Sequence, residues 1–235
     1  MARDQGPDVV LNPQQMNILI PTVSPESVEA LVFDLGGVLL DVQLQRTLRA
    51  FEALDIRGLG AAEVIDGNRA CFRDLELGLI TQEEFAEAVR RTFPAVAAIL
   101  DEQLLEAWNA MQGFSSSMPF DVQRVELLRE LGKRCPVYLL SNNNLPHRIR
   151  FRESFRERFG GSFDELFVRC FYSDELHLRK PDPEIYRSVA RQIGTPPGKL
   201  LFIDDNAANV SAARGEGWQA CHLTGGITVT DLFEL

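Results

Sequence analysis

Ala30-Leu31-Val32-Phe33-Asp34-Leu35-Gly36-Gly37-Val38-Leu39-Leu40-Asp41 is the stretch on which the fold is decided. Four apolar residues of strand-forming character run directly into a carboxylate, and a glycine-loosened turn follows. Asp34 is thereby delivered at the C-terminal tip of a strand, the edge at which open α/β sheets keep their chemistry. A carboxylate in this place also serves simply to cap the turn behind it. Three later segments give Asp34 company, because each closes an apolar run with a polar group that phosphoryl transfer uses: Ser141-Asn142, Lys180-Pro181 and Asp204-Asp205.

Working outward from Ala30, short β-rich runs at 31–34, 137–141, 167–171, 200–204 and 219–223 alternate with helical patterns at 120–132, 146–159, 183–193 and 206–216. Such alternation predicts an α/β fold, a Rossmann-like parallel sheet with helices on both faces. Residues 43–117 break the alternation with four helical patterns, 43–54, 61–75, 82–92 and 101–112, and no strand. They read as an inserted all-α cap, with Thr81 and Glu84 at capping-box spacing before the third helix. The core is then 29–42 and 118–235. Residues 1–28 carry Pro7, Pro13, Pro21 and Pro25 and read as an extended leader, which Val9-Val10-Leu11 could pin to the body.

The bulk numbers narrow the function. A chain of 235 residues with 24 basic and 34 acidic side chains has a formal charge of −10. A surface this acidic repels polyanions, which sets nucleic acid and anionic membranes aside as main partners. Cys71, Cys135, Cys170 and Cys221 are too scattered for a zinc knuckle or a redox pair and fit small buried residues in a reducing compartment. No apolar run approaches the roughly 18 residues that a membrane span needs. A cytoplasmic location is expected, and the sequence leaves the oligomeric state open.

Asp34 is the candidate nucleophile, since a carboxylate can attack phosphorus once the phosphate charge is neutralised. Adjacent Asp204 and Asp205 repel one another unless a cation compensates, and Mg²⁺ suits them because it takes one or two carboxylates together with substrate phosphate. The same pair could instead be an acidic helix start that suits the helix dipole. The Gly36 carbonyl could add a further oxygen to the ion. Ser141 and the Asn142 backbone N–H could donate to phosphoryl oxygens, and Lys180 could offset the charge of Asp34 and the phosphate.

Phe33-Asp34-Leu35-Gly36-Gly37-Val38, Leu140-Ser141-Asn142, Arg179-Lys180-Pro181-Asp182-Pro183-Glu184-Ile185-Tyr186 and Phe202-Ile203-Asp204-Asp205-Asn206 resemble motifs I to IV of the haloacid dehalogenase-like hydrolases. They stand in the family order over about Leu31 to Leu223, and the helical insertion is similar to the family's C1 cap. Ser141 to His147 and Asp204 to Asn206 are closest in kind to the sugar-phosphate phosphatase branch, glucose-1-phosphate phosphatases included. The resemblance implies a Mg²⁺-dependent phosphatase acting on a small phosphorylated metabolite, a sugar phosphate, through an aspartyl-phosphate. In that assignment Asp34, Ser141 and Lys180 are catalytic. Gly36, Gly37, Asn142 and His147 lie against substrate, and Asp34, Gly36, Asp204 and Asp205 serve the metal.

One departure stands out. Most phosphatases of this kind carry a second Asp two positions after the nucleophile to protonate the leaving oxygen, and this chain has Gly36 there. General acid assistance is typically worth about 10² to 10⁴ in rate. His147, six positions beyond Ser141, is the residue to examine as a substitute, although the plainer reading of it as a surface or helix-start histidine is the favoured one. His177 reads as a loop residue and His222 as structural. Arg148, Arg150, Arg152, Arg156 and Arg158, beside Phe151, Phe155 and Phe159, read as the solvated face of an amphipathic helix. Arg69 and Arg73 could meet the far end of a substrate. Two other readings remain: metal-independent dehalogenation, which the paired carboxylates and the lack of an aromatic after the nucleophile oppose, and a weakened scaffold that binds a metabolite or protein.

Overall fold

The computed structural model describes residues 17–21, 23, 25–64, 69–112 and 120–234. Strands β1 (Asn17–Ile18), β2 (Ala30–Phe33), β3 (Val137–Ser141), β4 (Arg169–Tyr172), β5 (Leu200–Asp204), β6 (Gln219–His222) and β7 (Phe233–Glu234) form two sheets. The larger has the order β4-β3-β2-β5-β6, and all of its pairs are parallel. Chain direction across the sheet reverses at β2, so the ends of β2, β3 and β5 open onto one crevice. In register Phe33 lies beside Leu139 and Ile203, which puts the next residue, Asp34, level with the end of β5.

Both sheet faces are covered, which is why β2 is apolar throughout. Leu31 and Phe33 pack with Leu139, Leu201 and Ile203 under α6 (Val122–Gly132) and α7 (Leu145–Phe159). Ala30 and Val32 face the other way, with Phe202, toward α9 (Pro183–Ile193) and α10 (Ala207–Gly215). The helix α9 starts where its sequence says it should: Pro183 sits in the first turn and Asp182 accepts the Glu184 N–H at 2.8 Å. A short α8 (Ser173–Leu176) follows β4.

Between β2 and α6 the chain forms α1 (Leu44–Ala53), α2 (Ala61–Val64), α3 (Ala70–Glu76), α4 (Gln82–Thr92) and α5 (Asp101–Asn109). These helices enclose a core of their own around Phe51, Phe72, Phe85 and Trp108, so the insertion is a helical cap. The capping box is present, with Thr81 Oγ1 accepting the Glu84 N–H at 3.2 Å and the Glu84 carboxylate accepting the Thr81 N–H at 2.8 Å.

Several expectations are corrected. The single helix expected over 61–75 is described as two, α2 and α3, and the helix over 101–112 ends at Asn109 in a tighter 3₁₀ turn, Ala110–Gln112. The strand expected at 167–171 begins at Arg169 because Phe163–Leu166 forms a 3₁₀ turn first. The last part of the leader is anchored: β1 pairs antiparallel with β7, and Ile18, Ile20, Val23 and Val28 are buried in the main core. Val9-Val10-Leu11 lies outside the described residues. Arg148 and Arg152 do not belong to a solvated face. Arg148 is buried against Asp174 at 2.7 Å and lies over the Tyr172 ring, while Arg152 pairs with Asp164.

All four cysteines are free. Burial pushes the Cys135 and Cys170 thiols up to about 12, far from reactive thiolates. Among the described residues no helix is long and apolar enough to cross a membrane.

Candidate active site

Asp34 extends the β2 ladder by donating its N–H to the Ile203 carbonyl at 2.9 Å, and this fixes its carboxylate over the mouth of the sheet. The turn behind it is closed by Leu39 and Leu40 N–H groups on the Leu35 carbonyl, both at 2.8 Å. Gly37 has φ +73° and must be glycine for a second reason: a Cβ there would lie 2.0 Å from Asp205 Oδ2. The loop after β2 and the end of β5 therefore touch through the missing side chain of Gly37.

Lys180 is the centre of the charge network. Its Nζ stands 2.8 Å from Asp34 Oδ1 and 2.6 Å from Asp204 Oδ2, and the side chain is almost wholly buried. Burial pulls its pKa down, but Asp204 and Asp34 outweigh that and hold the ammonium above its usual range. The Asn142 side-chain amide aligns its backbone, accepting the Lys180 N–H at 2.8 Å and donating to the Lys180 carbonyl at 2.9 Å. Asp204 accepts the Asn206 N–H at 2.7 Å and is also bound by Asn209 Nδ2 at 3.0 and 3.1 Å. Both Asp204 oxygens are thus committed, and what they orient is Lys180.

One ligand oxygen from each of Asp34, Asp204 and Asp205 lies within 4.8 Å of the others. Burial pushes the Asp34 carboxyl up to about 7; Lys180 opposes this, while Asp204 and Asp205 add to it. The Asp205 carboxyl is likewise raised, by burial first and then by Asp204. Three carboxylates around one ammonium leave an excess of negative charge on hard oxygens. That donor set fits a divalent ion of the Mg²⁺ type, and Asp34, Asp205 and Gly36 all border the same cavity. The Asp205 backbone is steadied from β6, where His222 Nε2 donates to its carbonyl at 2.9 Å.

These groups open into a cavity of about 630 Å³, a size suited to a small metabolite. Ser141, at the end of β3, and Asn142 line its floor together with Gly36 and Gly37. The cap contributes Val64, Glu76, Trp108, Met111 and Gln112 from above. His147 also borders the cavity, but its role must be corrected. Its Nε2 donates to the Trp108 carbonyl at 3.3 Å, its Nδ1 accepts from Asn144 Nδ2 at 3.1 Å, and burial drives its pKa down to about 4. A ring with both nitrogens engaged and no proton to give at neutral pH does not supply general acid chemistry. Arg69 lies over the Phe93 ring and Arg73 beside Asp74, and neither borders the cavity.

Sequence reasoning passed over Glu76. It ends α3 and enters the cavity from the cap, with Oε2 2.8 Å from Arg179 Nε. A signal was there, because a carboxylate in the last turn of a helix works against the helix dipole and so invites a functional reason.

Residues 28–217 match the haloacid dehalogenase-like hydrolase family, and the chain belongs to that family. A D-ribitol-5-phosphate phosphatase of Bacteroides thetaiotaomicron is 25% identical over 194 residues, covering 82% of this chain and 90% of that one. An (S)-2-haloacid dehalogenase of Burkholderia cepacia is 25% identical over 206 residues, 84% of each chain. Among solved structures, a HAD family enzyme of Bacteroides thetaiotaomicron in complex with magnesium and inorganic phosphate is similar with a TM-score of 0.75 and 27% identity. It covers 88% of this chain and 100% of its own.

Proposed function

We propose that this protein is a Mg²⁺-dependent phosphomonoesterase for small phosphorylated metabolites of the sugar- or polyol-phosphate kind, working in the cytoplasm through an aspartyl-phosphate on Asp34. The observation that carries the reading is the Asp34-Lys180-Asp204 chain of contacts at 2.8 and 2.6 Å, with Asp205 close by. Asp34, Asp205 and the Gly36 carbonyl would hold the ion. Bound there, Mg²⁺ would neutralise phosphate charge and so let a carboxylate approach phosphorus.

Asp34 supplies the attacking oxygen. Lys180 offsets charge on Asp34 and on the incoming phosphoryl group, and Ser141 Oγ with the Asn142 N–H donates to phosphoryl oxygens. Asp204 acts by holding Lys180. Residues 43–117 form the cap that closes over the substrate and selects it, and the likeness to a D-ribitol-5-phosphate phosphatase favours a polyol or sugar chain in the cavity. Dehalogenation is disfavoured because a departing halide would meet the Asp204-Asp205 pair. The test is release of inorganic phosphate from a panel of sugar and polyol phosphates with Mg²⁺ and after chelation, beside Asp34→Asn. The expected outcome is turnover that chelation and the substitution each abolish. Mg²⁺-independent halide release with no phosphate release would reject the reading.

A further inference from the structure

When an alkyl phosphate is cleaved, the ester oxygen leaves as a strongly basic alkoxide unless a proton reaches it. Among the described residues, six titratable or cationic side chains border the cavity: Asp34, Glu76, His147, Arg179, Lys180 and Asp205. Five are unsuited. Asp34 attacks, Asp205 faces the cation site, and Lys180 is held as an ammonium between Asp34 and Asp204. Arg179 does not release protons, and His147 is neutral with both ring nitrogens engaged.

Glu76 remains, and the fold fixes it firmly. Its own carbonyl accepts from Ser173 Oγ at 2.7 Å, and the next carbonyl, of Leu77, is met by His177 Nδ1 at 2.8 Å. Gly78 then packs directly on the Asp174 carbonyl. Three consecutive cap residues are thus seated on α8 and the following His177, the core segment that leads into Arg179 and Lys180. Burial pushes the Glu76 carboxyl up to about 7, against the pull of Arg179 and Lys180 and with a further push from Asp174. A carboxyl poised near neutrality suits proton transfer in both directions.

We propose that Glu76 is the proton donor for the leaving oxygen, a catalytic residue that the cap delivers to the site. This rests on the phosphomonoesterase reading. As the bond from phosphorus to Asp34 forms and the ester P–O bond breaks, the Glu76 carboxyl passes its proton to the departing oxygen, which leaves as an alcohol. Glu76 regains its proton from solvent, and the water that attacks phosphorus of the Asp34 acyl-phosphate leaves both of its protons on the released phosphate. Inorganic phosphate is released, and both carboxyl groups return to their starting forms.

The test compares wild type and Glu76→Gln, with Mg²⁺, on p-nitrophenyl phosphate and on the alkyl phosphate that wild type uses best in a panel. A nitrophenolate leaves without protonation, so the substitution is expected to spare its turnover. For the alkyl ester kcat should fall by about 10²- to 10⁴-fold. In wild type, kcat for the alkyl ester should also decline as pH rises through about 7, and kcat for p-nitrophenyl phosphate should not. That comparison needs no variant, and an alkyl kcat that is flat through this range would overturn the proposal. Equal losses on both esters, no loss on either, or a higher KM for the alkyl ester at unchanged kcat would do the same. A wild type that cleaves neither ester would instead overturn the phosphatase reading beneath it.

Discussion

Trp108 of the cap and His147 of the core lie face to face over the cavity, with ring centroids 4.6 Å apart and planes 19° from parallel. Trp108 Nε1 donates to Asn144 Oδ1 at 3.3 Å, Asn144 Nδ2 donates to His147 Nδ1, and Gln112 Nε2 donates to the His147 carbonyl at 3.1 Å. The last cap helix is therefore clamped to the first turn of α7. A histidine that the sequence offered as an acid is a wedge that seats the cap.

That wedge has a pH signature. Burial outweighs the opposite pull of the Trp108 carbonyl and moves His147 from 6.5 to about 4. The unfolded chain then takes up this proton before the folded one does. The stability contribution is complete above about pH 6.5 and is lost as pH falls toward 4, to a limit on the order of 3 kcal/mol. Replacing His147 with Gln, which does not titrate, should shrink the drop in urea midpoint between pH 7 and pH 4.5. An acid dependence identical to wild type would show that the ring is not buried neutral.

Gly78 sets how closely the cap can approach. It has φ +63°, and a Cβ there would fall 2.1 Å from the Asp174 carbonyl oxygen, a backbone atom that cannot yield easily. Gly78→Ala should lower stability by about 1–3 kcal/mol through strain and lift the loop after α3 together with Glu76 at the helix end. Turnover of alkyl phosphates should fall at least about tenfold, because a small misplacement of a catalytic group is costly. Thermal unfolding and steady-state kinetics on the same sample check both parts, and unchanged kinetics would detach the loop from the chemistry.

The Arg148-Asp174 pair is the buried tie beneath that loop. The contact is 2.7 Å and both side chains are under a tenth exposed, with Glu175 adding a second contact to Arg148 at 3.0 Å. Burial pushes the Asp174 carboxyl up to about 6 against the pull of Arg148. Removing the arginine as Arg148→Met should cost about 3–5 kcal/mol by stranding a buried charge. Adding Asp174→Asn should recover part of the loss. Denaturant unfolding of the two variants decides it, and a loss under about 1 kcal/mol, the level of an exposed pair, would contradict the buried assignment.

Much of this was legible in the chain. Apolar four- and five-residue runs ending in Asp34, Ser141 and Asp204 announce parallel strands whose tips converge, because a strand buried on both faces cannot hide its identity behind alternation. Pro183 behind Asp182 and the Thr81-Glu84 spacing mark helix starts by local hydrogen bonding alone. What stayed illegible depends on distant partners. Nothing local shows that Asn142 aligns the backbone of Lys180, that Arg148 is buried on Tyr172, or that Ile18 and Ile20 join the core through a two-residue pairing with β7. Glu76 was missed for a related reason: it borders the cavity because α3 ends over Arg179, a placement fixed by cap packing and by no motif.

The central claim is that Asp34 carries the phosphoryl group, and trapping it is the most direct test. Protein mixed with Mg²⁺ and a sugar phosphate that it turns over, quenched in acid within one turnover and mapped by peptide mass spectrometry, should show the phosphoryl group on the Asp34 side chain. Asp34→Asn should show none and release no phosphate. Steady phosphate release with no phosphoryl group on Asp34 at any quench time, or undiminished release by Asp34→Asn, would contradict the account.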